Sequence, residues 1–174
     1  MKTIETNRLI LRPITQNDAE DIFAYSKDEN VGINAGWKAH ANIEETREIM
    51  DIIFLEKENV YGIELKENGK LIGSIGLIDD QKRENNKARM LGYAIGEAYW
   101  GKGYTTEAAQ ALISYGFDEL NLMLISAYCY PFNQRSKRVL EKCGFQYEGV
   151  LHLAEERYDG VILDNECFMI INKK

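Results

Sequence analysis

The feature that most constrains the fold of this chain is a strand, a helix and a second strand in succession near its middle. "ARMLGYAIG" (88–96) and "LISAYCY" (124–130) are predicted strands, and a helix of about four turns is predicted between them, from Tyr104 to Leu120. Strands joined by a helical crossover lie parallel and adjacent in one sheet. We therefore predict that these two strands form a parallel pair. The apolar face of the helix includes Ala108, Leu112 and Tyr115.

The other predicted elements are hairpin strands and short helices. Asn68-Gly69 and Asp159-Gly160 each separate two apolar runs, a pattern typical of antiparallel hairpins. The order of elements predicts a single α/β domain over residues 1–174, with a mixed, mostly antiparallel, twisted sheet and helices on both faces. The remaining strands are predicted at 8–14, 60–66, 70–78, 145–153 and 161–171, and the helices at 16–27, at 43–58 with Ile49, Ile52 and Ile53 at helical spacing, and at 133–143.

Composition excludes several classes of protein. The net charge of −7 is wrong for a general nucleic-acid binder, which needs a basic surface. No stretch approaches the roughly 20 apolar residues of a membrane span, and the N-terminus lacks the apolar core of a signal peptide, so we expect a cytoplasmic protein. Three cysteines without a CxxC pair and two distant histidines argue against a disulfide framework and a metal site.

A glycine-rich loop, "EAYWGKGYTTEA" (97–108), follows the first strand of the parallel pair and opens the helix. The first amides of a helix lack intrahelical partners and lie at the positive end of its dipole, which makes an anion site. Gly101 and Gly103 let a phosphate approach the backbone, Thr105 and Thr106 add hydroxyls, and Lys102 adds charge. A tight turn with a threonine cap explains the glycines equally well, since the spacing matches no P-loop or dinucleotide motif.

A second motif, "YPFNQRSKRVLEKCGF" (130–145), follows the next strand. Asn133 and Ser136 have the spacing of an N-cap residue and the third helical residue, and capping alone explains Asn133. The two motifs together resemble the GNAT superfamily of N-acetyltransferases.

The resemblance extends over nearly the whole chain. "ETNRLILRPITQNDAEDIF", "LGYAIGEAYWGKGYTTEA", "FNQRSKRVLEKCGFQYEG" and the closing Asp159-Gly160, Asp164 and Phe168 are similar to the branch named for the Rim enzymes, which acetylate ribosomal-protein N-termini. Two positions depart from the superfamily. Ala98 stands where many members have Arg or Gln, and Leu140 stands where many have a Tyr that protonates the departing thiolate. In the Rim-like branch, the serine at the position of Ser136 is a candidate for that role.

The resemblance implies direct acetyl transfer from acetyl-CoA to a primary amine, without a metal. The pyrophosphate is expected on the amides of the glycine loop and the pantetheine arm along the strand at 92–96, with the thioester where the parallel strands splay apart. The implied cofactor-binding residues are Tyr93, Ala94, Ile95, Gly96, Gly101, Lys102, Gly103, Tyr104, Thr105, Thr106, Asn133 and Ser136. The implied catalytic groups are the backbone N–H of Ile95 or Ala94 for the oxyanion, and Ser136, as an acid or as the holder of a water.

The acceptor side is less defined. "GINAGWKAH" (32–40) is expected between the first two helices, where this family builds its acceptor wall, so Trp37 and His40 are acceptor candidates. Tyr128 and Tyr130 share one face of their strand and are further candidates. Core packing explains all four residues as well. The candidates for the general base are Glu64, Asp79, His40 and Tyr128, and a chain of waters is the alternative.

The leading hypothesis is therefore an acetyl-CoA-dependent N-acetyltransferase acting on a protein N-terminus or a small amine, as a monomer or homodimer. An acyl-CoA-binding sensor without turnover and a nucleotide phosphate binder are the alternatives from other classes.

Overall fold

The computed structural model describes residues 1–173, and its centre is an eight-stranded sheet. The strand order is β1-β2-β3-β4-β5-β6-β8-β7. All neighbouring strands are antiparallel except β5 and β6. The strands are β1 (Ile4–Glu5), β2 (Leu9–Arg12), β3 (Val60–Leu65), β4 (Leu71–Ile78), β5 (Ala88–Ile95), β6 (Leu124–Cys129), β7 (Gln146–Glu156) and β8 (Ile162–Ile171).

Helices cover both faces of the sheet, and each face has its own core. Buried Leu112 of the fourth helix and Leu140 of the fifth pack on one face. Buried Ile22 and Met50, from the first and third helices, pack on the other face beside Ala94 of β5. The helices are α1 (Ala19–Ser26), α2 (Glu29–Ala35), α3 (Ile43–Ile53), α4 (Tyr104–Asp118) and α5 (Gln134–Lys142). No helix among residues 1–173 is long and apolar enough to cross a bilayer.

The predicted parallel pair is confirmed, and it is short. β5 and β6 pair only from Ala88 opposite Leu124 to Met90 opposite Ser126. Both strands continue past this point, β5 to Ile95 and β6 to Cys129, without pairing to each other. The sheet therefore opens between them, which confirms the predicted splay.

Most of the predicted elements are confirmed. The helix after the glycine loop runs from Tyr104 to Asp118 and buries Ala108 and Leu112, as expected. The hairpin at Asn68-Gly69 joins β3 to β4, and Gly69 has a φ of +71°. Asn133 caps α5, because its side chain accepts a hydrogen bond from the amide of Ser136.

Three predictions about the N-terminal half need correction. The segment 32–40 is not a loop throughout, because α2 covers its first four residues between an Asp28 cap and a left-handed Gly36. The two-residue strand β1 was not predicted. In α3, Met50 is fully buried, whereas Ile52 and Ile53 are 67% and 44% exposed. The helical spacing was right, but the buried face lies elsewhere on the helix.

Candidate active site

A cleft of about 600 Å³ lies where β5 and β6 separate. Residues of both strands line it, together with the first turn of α5, the end of α2 and the loop that follows β4. Of the predicted site residues, it brings together Trp37, Tyr93, Ala94, Tyr128, Tyr130, Asn133 and Ser136. His40, Ile95, Gly96 and the glycine loop lie outside its lining.

The open edge of β5 supplies main-chain groups to this gap. The amide of Gly96 donates to the carbonyl of Ile72 in β4, and hydrogen-bonding direction alternates along an antiparallel strand. Ala94 therefore directs its N–H and C=O toward β4, where it pairs with Ser74. Tyr93 and Ile95 direct theirs toward β6, which has already diverged. The carbonyl of Ile95 also accepts a bond from the Trp100 indole at 2.9 Å.

The first turn of α5 faces β5 across the gap. The Ser136 hydroxyl lies 2.8 Å from the Tyr93 hydroxyl, and its amide donates to Asn133 Oδ1 at 3.1 Å. Burial raises the pKa of Tyr93, so the phenol stays protonated. The Asn133 side-chain amide donates to the carbonyl of Asn34 at the end of α2. Ser136 is thus held in the cleft by Tyr93 of β5 and by Asn133, the N-cap residue of its own helix.

The glycine loop lies beyond the end of β5. Gly101 and Gly103 have φ values of +74° and +80°, a conformation that residues with a Cβ rarely adopt. Apart from its chain neighbours, no atom of residues 1–173 lies within 4 Å of an added Cβ at Gly101, and an Arg8 nitrogen, at 3.5 Å, lies near one at Gly103. The first backbone hydrogen bond of α4 runs from Glu107 to Gly103, so the amides of the preceding turn are available to an anion.

Two arginines beside this loop were not singled out from the sequence. Arg8 pairs with Glu107 at 2.7 Å and donates to the carbonyl of Lys102 at 3.0 Å, which fastens the loop to β2. The guanidinium of Arg135, on α5, lies 3.9 Å from the centre of the Trp100 ring. Neither is close to the loop in sequence, so the glycine-loop motif itself does not mark them.

The predicted acceptor residues separate into two groups. Trp37, Tyr128 and Tyr130 line the cleft, and the buried indole nitrogen of Trp37 has no hydrogen-bond partner among residues 1–173. His40 is buried outside the cleft, with Nδ1 2.9 Å from the Thr46 hydroxyl. Burial lowers the pKa of His40. Its contacts are those of a residue that fixes the start of α3.

Tyr128 binds a carboxylate that the sequence did not reveal. Asp80, in the loop after β4, is 1% exposed at its side chain. Its oxygens accept bonds from the hydroxyls of Ser126 at 2.5 Å and Tyr128 at 2.8 Å, and from the amide of Lys82 at 2.9 Å. Arg83 Nε lies 3.3 Å away, an ion pair without hydrogen-bond geometry. Burial opposes ionisation, yet these donors and Arg83 hold the pKa of Asp80 below its usual value.

Tyr130 binds a second such carboxylate, Glu155 of β7. Its hydroxyl donates to Glu155 Oε1 at 2.7 Å, and the Asn165 side-chain amide reaches Oε2 at 3.4 Å. A Cβ added at Gly36 would lie 2.7 Å from the Tyr130 hydroxyl and 3.1 Å from Oε1, so the end of α2 packs directly on this pair. Glu155 lies 25 residues from Tyr130 in sequence, and only the fold brings them together.

The other candidate bases have partners elsewhere. Glu64 lies on β3, three strands away from β6 in the sheet, and pairs with Arg12 at 2.5 Å. Asp79 lines the cleft but is 89% exposed and lies 3.4 Å from Arg89. Burial raises the pKa of Tyr128 to about 12, so its hydroxyl is neutral near pH 7.

The thiol of Cys129 also lines the cleft. Burial raises its pKa to about 11, so the thiol is protonated at neutral pH and is a weak nucleophile. This environment disfavours a covalent intermediate on the cysteine. The side chains in the cleft are suited to positioning two reactants rather than to attacking one of them.

Comparisons with known proteins agree with this geometry. The family model described as the acetyltransferase (GNAT) domain matches residues 8–146 of this chain. The chain is 36% identical over 152 residues to YoaA, an uncharacterised N-acetyltransferase of Bacillus subtilis, with 85% of each protein covered. A GNAT-family acetyltransferase from Bacillus anthracis superposes with a TM-score of 0.87 at 26% identity, covering 99% of this chain and 100% of that one. The ribosomal-protein-S5-alanine acetyltransferase of Vibrio fischeri gives a TM-score of 0.81 at 25% identity, covering 100% of this chain and 98% of that one.

Proposed function

Since the chain belongs to the GNAT family of acetyltransferases, and is therefore an acyltransferase, we propose that it transfers the acetyl group of acetyl-CoA to a primary amine. The observation that carries this proposal is the gap between β5 and β6, where the main-chain groups of Tyr93 face the open cleft and those of Ile95 point to the same side just beyond its lining. An extended pantetheine arm adds to such an edge as another strand. The pyrophosphate then lies on the amides of Gly101 to Thr106, near Lys102.

The proposed step is a direct transfer. The amine nitrogen attacks the thioester carbon, a C–N bond forms, the C–S bond breaks, and the amine nitrogen passes one proton to a chain of waters. The N–H of Ile95 stabilises the oxyanion. The thiolate takes a proton from the Ser136 hydroxyl or from a water that Ser136 holds; the Tyr93 hydroxyl orients Ser136 from 2.8 Å away. The high pKa of Cys129 supports direct transfer over an acyl-cysteine.

We further propose the Rim-like branch, working in the cytoplasm, with protein N-termini and small amines as the two acceptor classes. The similarity to the Vibrio fischeri ribosomal-protein acetyltransferase supports the first class. The acidic net charge supports cationic acceptors of either class.

The test measures thiol release from acetyl-CoA with N-terminal peptides, polyamines and aminoglycosides, together with acetyl-CoA binding by calorimetry. In Gly103→Val, a β-branched residue must adopt a backbone φ near +80°, so we expect the loop to distort. The Kd for acetyl-CoA should then rise about tenfold or more.

Gly69→Val is the matched control, because Gly69 has a φ of +71° with open space around it but lies in the β3–β4 hairpin. It should cost similar stability and leave the Kd unchanged. Equal Kd values for wild type and Gly103→Val would remove the glycine loop from the cofactor site. Acetyl-CoA binding without thiol release from any acceptor would favour a sensor, and preference for ATP would overturn the proposal.

A further inference from the structure

We propose that Glu155 binds a positively charged group of the acceptor, distinct from the amine that is acetylated. The inference rests on the proposed function and names a class of acceptor: a primary amine that carries a second cation. Glu155 would then determine specificity and would not touch the reacting atoms.

The carboxylate of Glu155 is half-buried and lacks a compensating charge. Its two hydrogen-bond donors, the Tyr130 hydroxyl and the Asn165 amide, are both neutral. Among residues 1–173, no Lys, Arg or His nitrogen lies within 4.0 Å of it. Arg157, which follows two residues later, is paired with Asp159 at 2.7 Å. A carboxylate that is partly removed from water and lacks a cation is stabilised by a ligand that brings one.

The Tyr128 end of the same cleft face differs, because its carboxylates have cations beside them. Asp80 and Glu148 share the cation of Arg83, and a second cation, Lys82 Nζ, lies 4.2 Å from the centre of the Tyr128 ring. A nearby cation disfavours the protonated form of an amine. The reacting amine must be neutral to attack, so the Tyr128 end suits the nucleophile. The Tyr130 end suits a charge that persists through the reaction.

The spacing between the two ends sets the shape of the acceptor. Tyr128 and Tyr130 are two residues apart along extended backbone, so their side chains point to one side with a separation of roughly 7 Å. For an acceptor whose reacting amine lies beside Tyr128 and whose second charge lies at Glu155, beside Tyr130, this spacing implies roughly 7 Å between the two groups. A short diamine meets this requirement, as does a peptide N-terminus followed by a basic side chain.

The experiment compares cadaverine with pentylamine, which has the same five-carbon chain but lacks the second amine. We expect wild type to have a higher kcat/KM for cadaverine than for pentylamine, because its KM for cadaverine is lower. This preference should decrease as the NaCl concentration is raised. Glu155→Gln should raise the KM for cadaverine about tenfold or more and leave that for pentylamine unchanged. Glu155→Asp, which keeps the charge, should retain part of the preference.

Glu156→Gln is the matched control, since it makes the same chemical change at the next, exposed residue of β7, which does not line the cleft. It should retain the full preference. Equal KM values for the two amines in wild type would overturn the inference, and so would a preference that survives in Glu155→Gln. The wild-type comparison decides even where a variant fails to fold.

This inference and the proposed function fail separately. Acetylation of other amines without a preference for cadaverine over pentylamine would overturn the inference alone. If no amine is acetylated, calorimetry of the two amines with the CoA-bound protein still tests Glu155, because the preference is a property of binding. Loss of acetyl-CoA binding in wild type would overturn the proposed function instead.

Discussion

Two tyrosine–carboxylate pairs stand side by side along one face of the cleft, and they differ in what surrounds the carboxylate. Asp80, bound by Tyr128, also has Ser126, the Lys82 amide and Arg83 around it and is closed off from water. Glu155, bound by Tyr130, has one further neutral donor, is only partly buried and lines the cleft. Both pairs join a tyrosine hydroxyl to a carboxylate, but the two carboxylates differ in unused hydrogen-bonding capacity and in uncompensated charge.

This difference in surroundings assigns a structural role to Asp80 and a binding role to Glu155. A carboxylate whose oxygens are saturated by donors and whose charge is compensated has little left to offer a ligand. Asp80 therefore ties the loop after β4 to β6, across the point where the sheet opens. Glu155 keeps acceptor capacity and charge, which is what a binding residue needs. Each prediction below tests this assignment.

The largest expected difference is in stability. Asp80→Ala should lower the free energy of unfolding by about 3 kcal/mol, because it leaves two hydroxyls without their buried acceptor and Arg83 with Glu148 as its remaining carboxylate partner. Glu155→Ala should cost less, about 1–2 kcal/mol, since it leaves two buried but neutral donors, Tyr130 and Asn165, without an acceptor. Urea unfolding at pH 7 measures both. Equal costs would mean that the two carboxylates are both structural.

The tyrosine hydroxyls give a smaller and more selective effect. Tyr128→Phe and Tyr130→Phe should each cost about 1 kcal/mol of stability, the usual value of one hydrogen bond. Only Tyr130→Phe should weaken the preference for cadaverine, because Glu155 then keeps a single donor at 3.4 Å to orient it. Steady-state kinetics on the two variants decides this. A loss of preference in Tyr128→Phe would place the second charge at the Asp80 end.

The smallest effect concerns pH. Asp80 has a pKa below its unfolded value of about 3.9, because its donors and Arg83 outweigh the cost of burial. It therefore contributes stability that is present above the unfolded pKa and is lost as pH falls through the folded pKa. Asp80→Asn should flatten the loss of stability below about pH 4. An unchanged slope in urea midpoints would show that Asp80 is not held ionised by these contacts.

Local patterns were enough to predict the frame of this fold. The parallel crossover and the turn at Asn68-Gly69 depend on residues close in sequence, and both are confirmed. The anion-binding role of the glycine loop stays a prediction. The helix α2 was missed because "ENVGINA" contains a glycine and two asparagines, which are weak helix formers. Its caps at Asp28 and Gly36 were visible signals. The buried face of α3 could not be read from its isoleucines, because its position against α1 decides it.

The site was predictable only in part for the same physical reason. Ser136 and Asn133 belong to one motif, and the structure places both in the cleft. Asp80 and Glu155 are 48 and 25 residues from the tyrosines that hold them. Carboxylates are common in this sequence, and nothing local distinguishes these two. Their roles depend on which donors and cations the fold brings within reach.

The short pairing of β5 with β6 has a mechanical consequence. In the part of the chain that the structure describes, the β5–β6 register that joins β1–β5 to the rest of the sheet, made of β6, β8 and β7, contains three residue pairs. The sheet thus has a seam, and a ligand strand lying in it would bond to the exposed edge of β5 and contact α5 beyond β6. A ligand bound in the seam would then connect the two parts of the sheet, so that they unfold as one cooperative unit. When a ligand fills the seam, the amides of Leu91–Ile95 should be better protected from hydrogen exchange. The thermal unfolding transition should also become steeper.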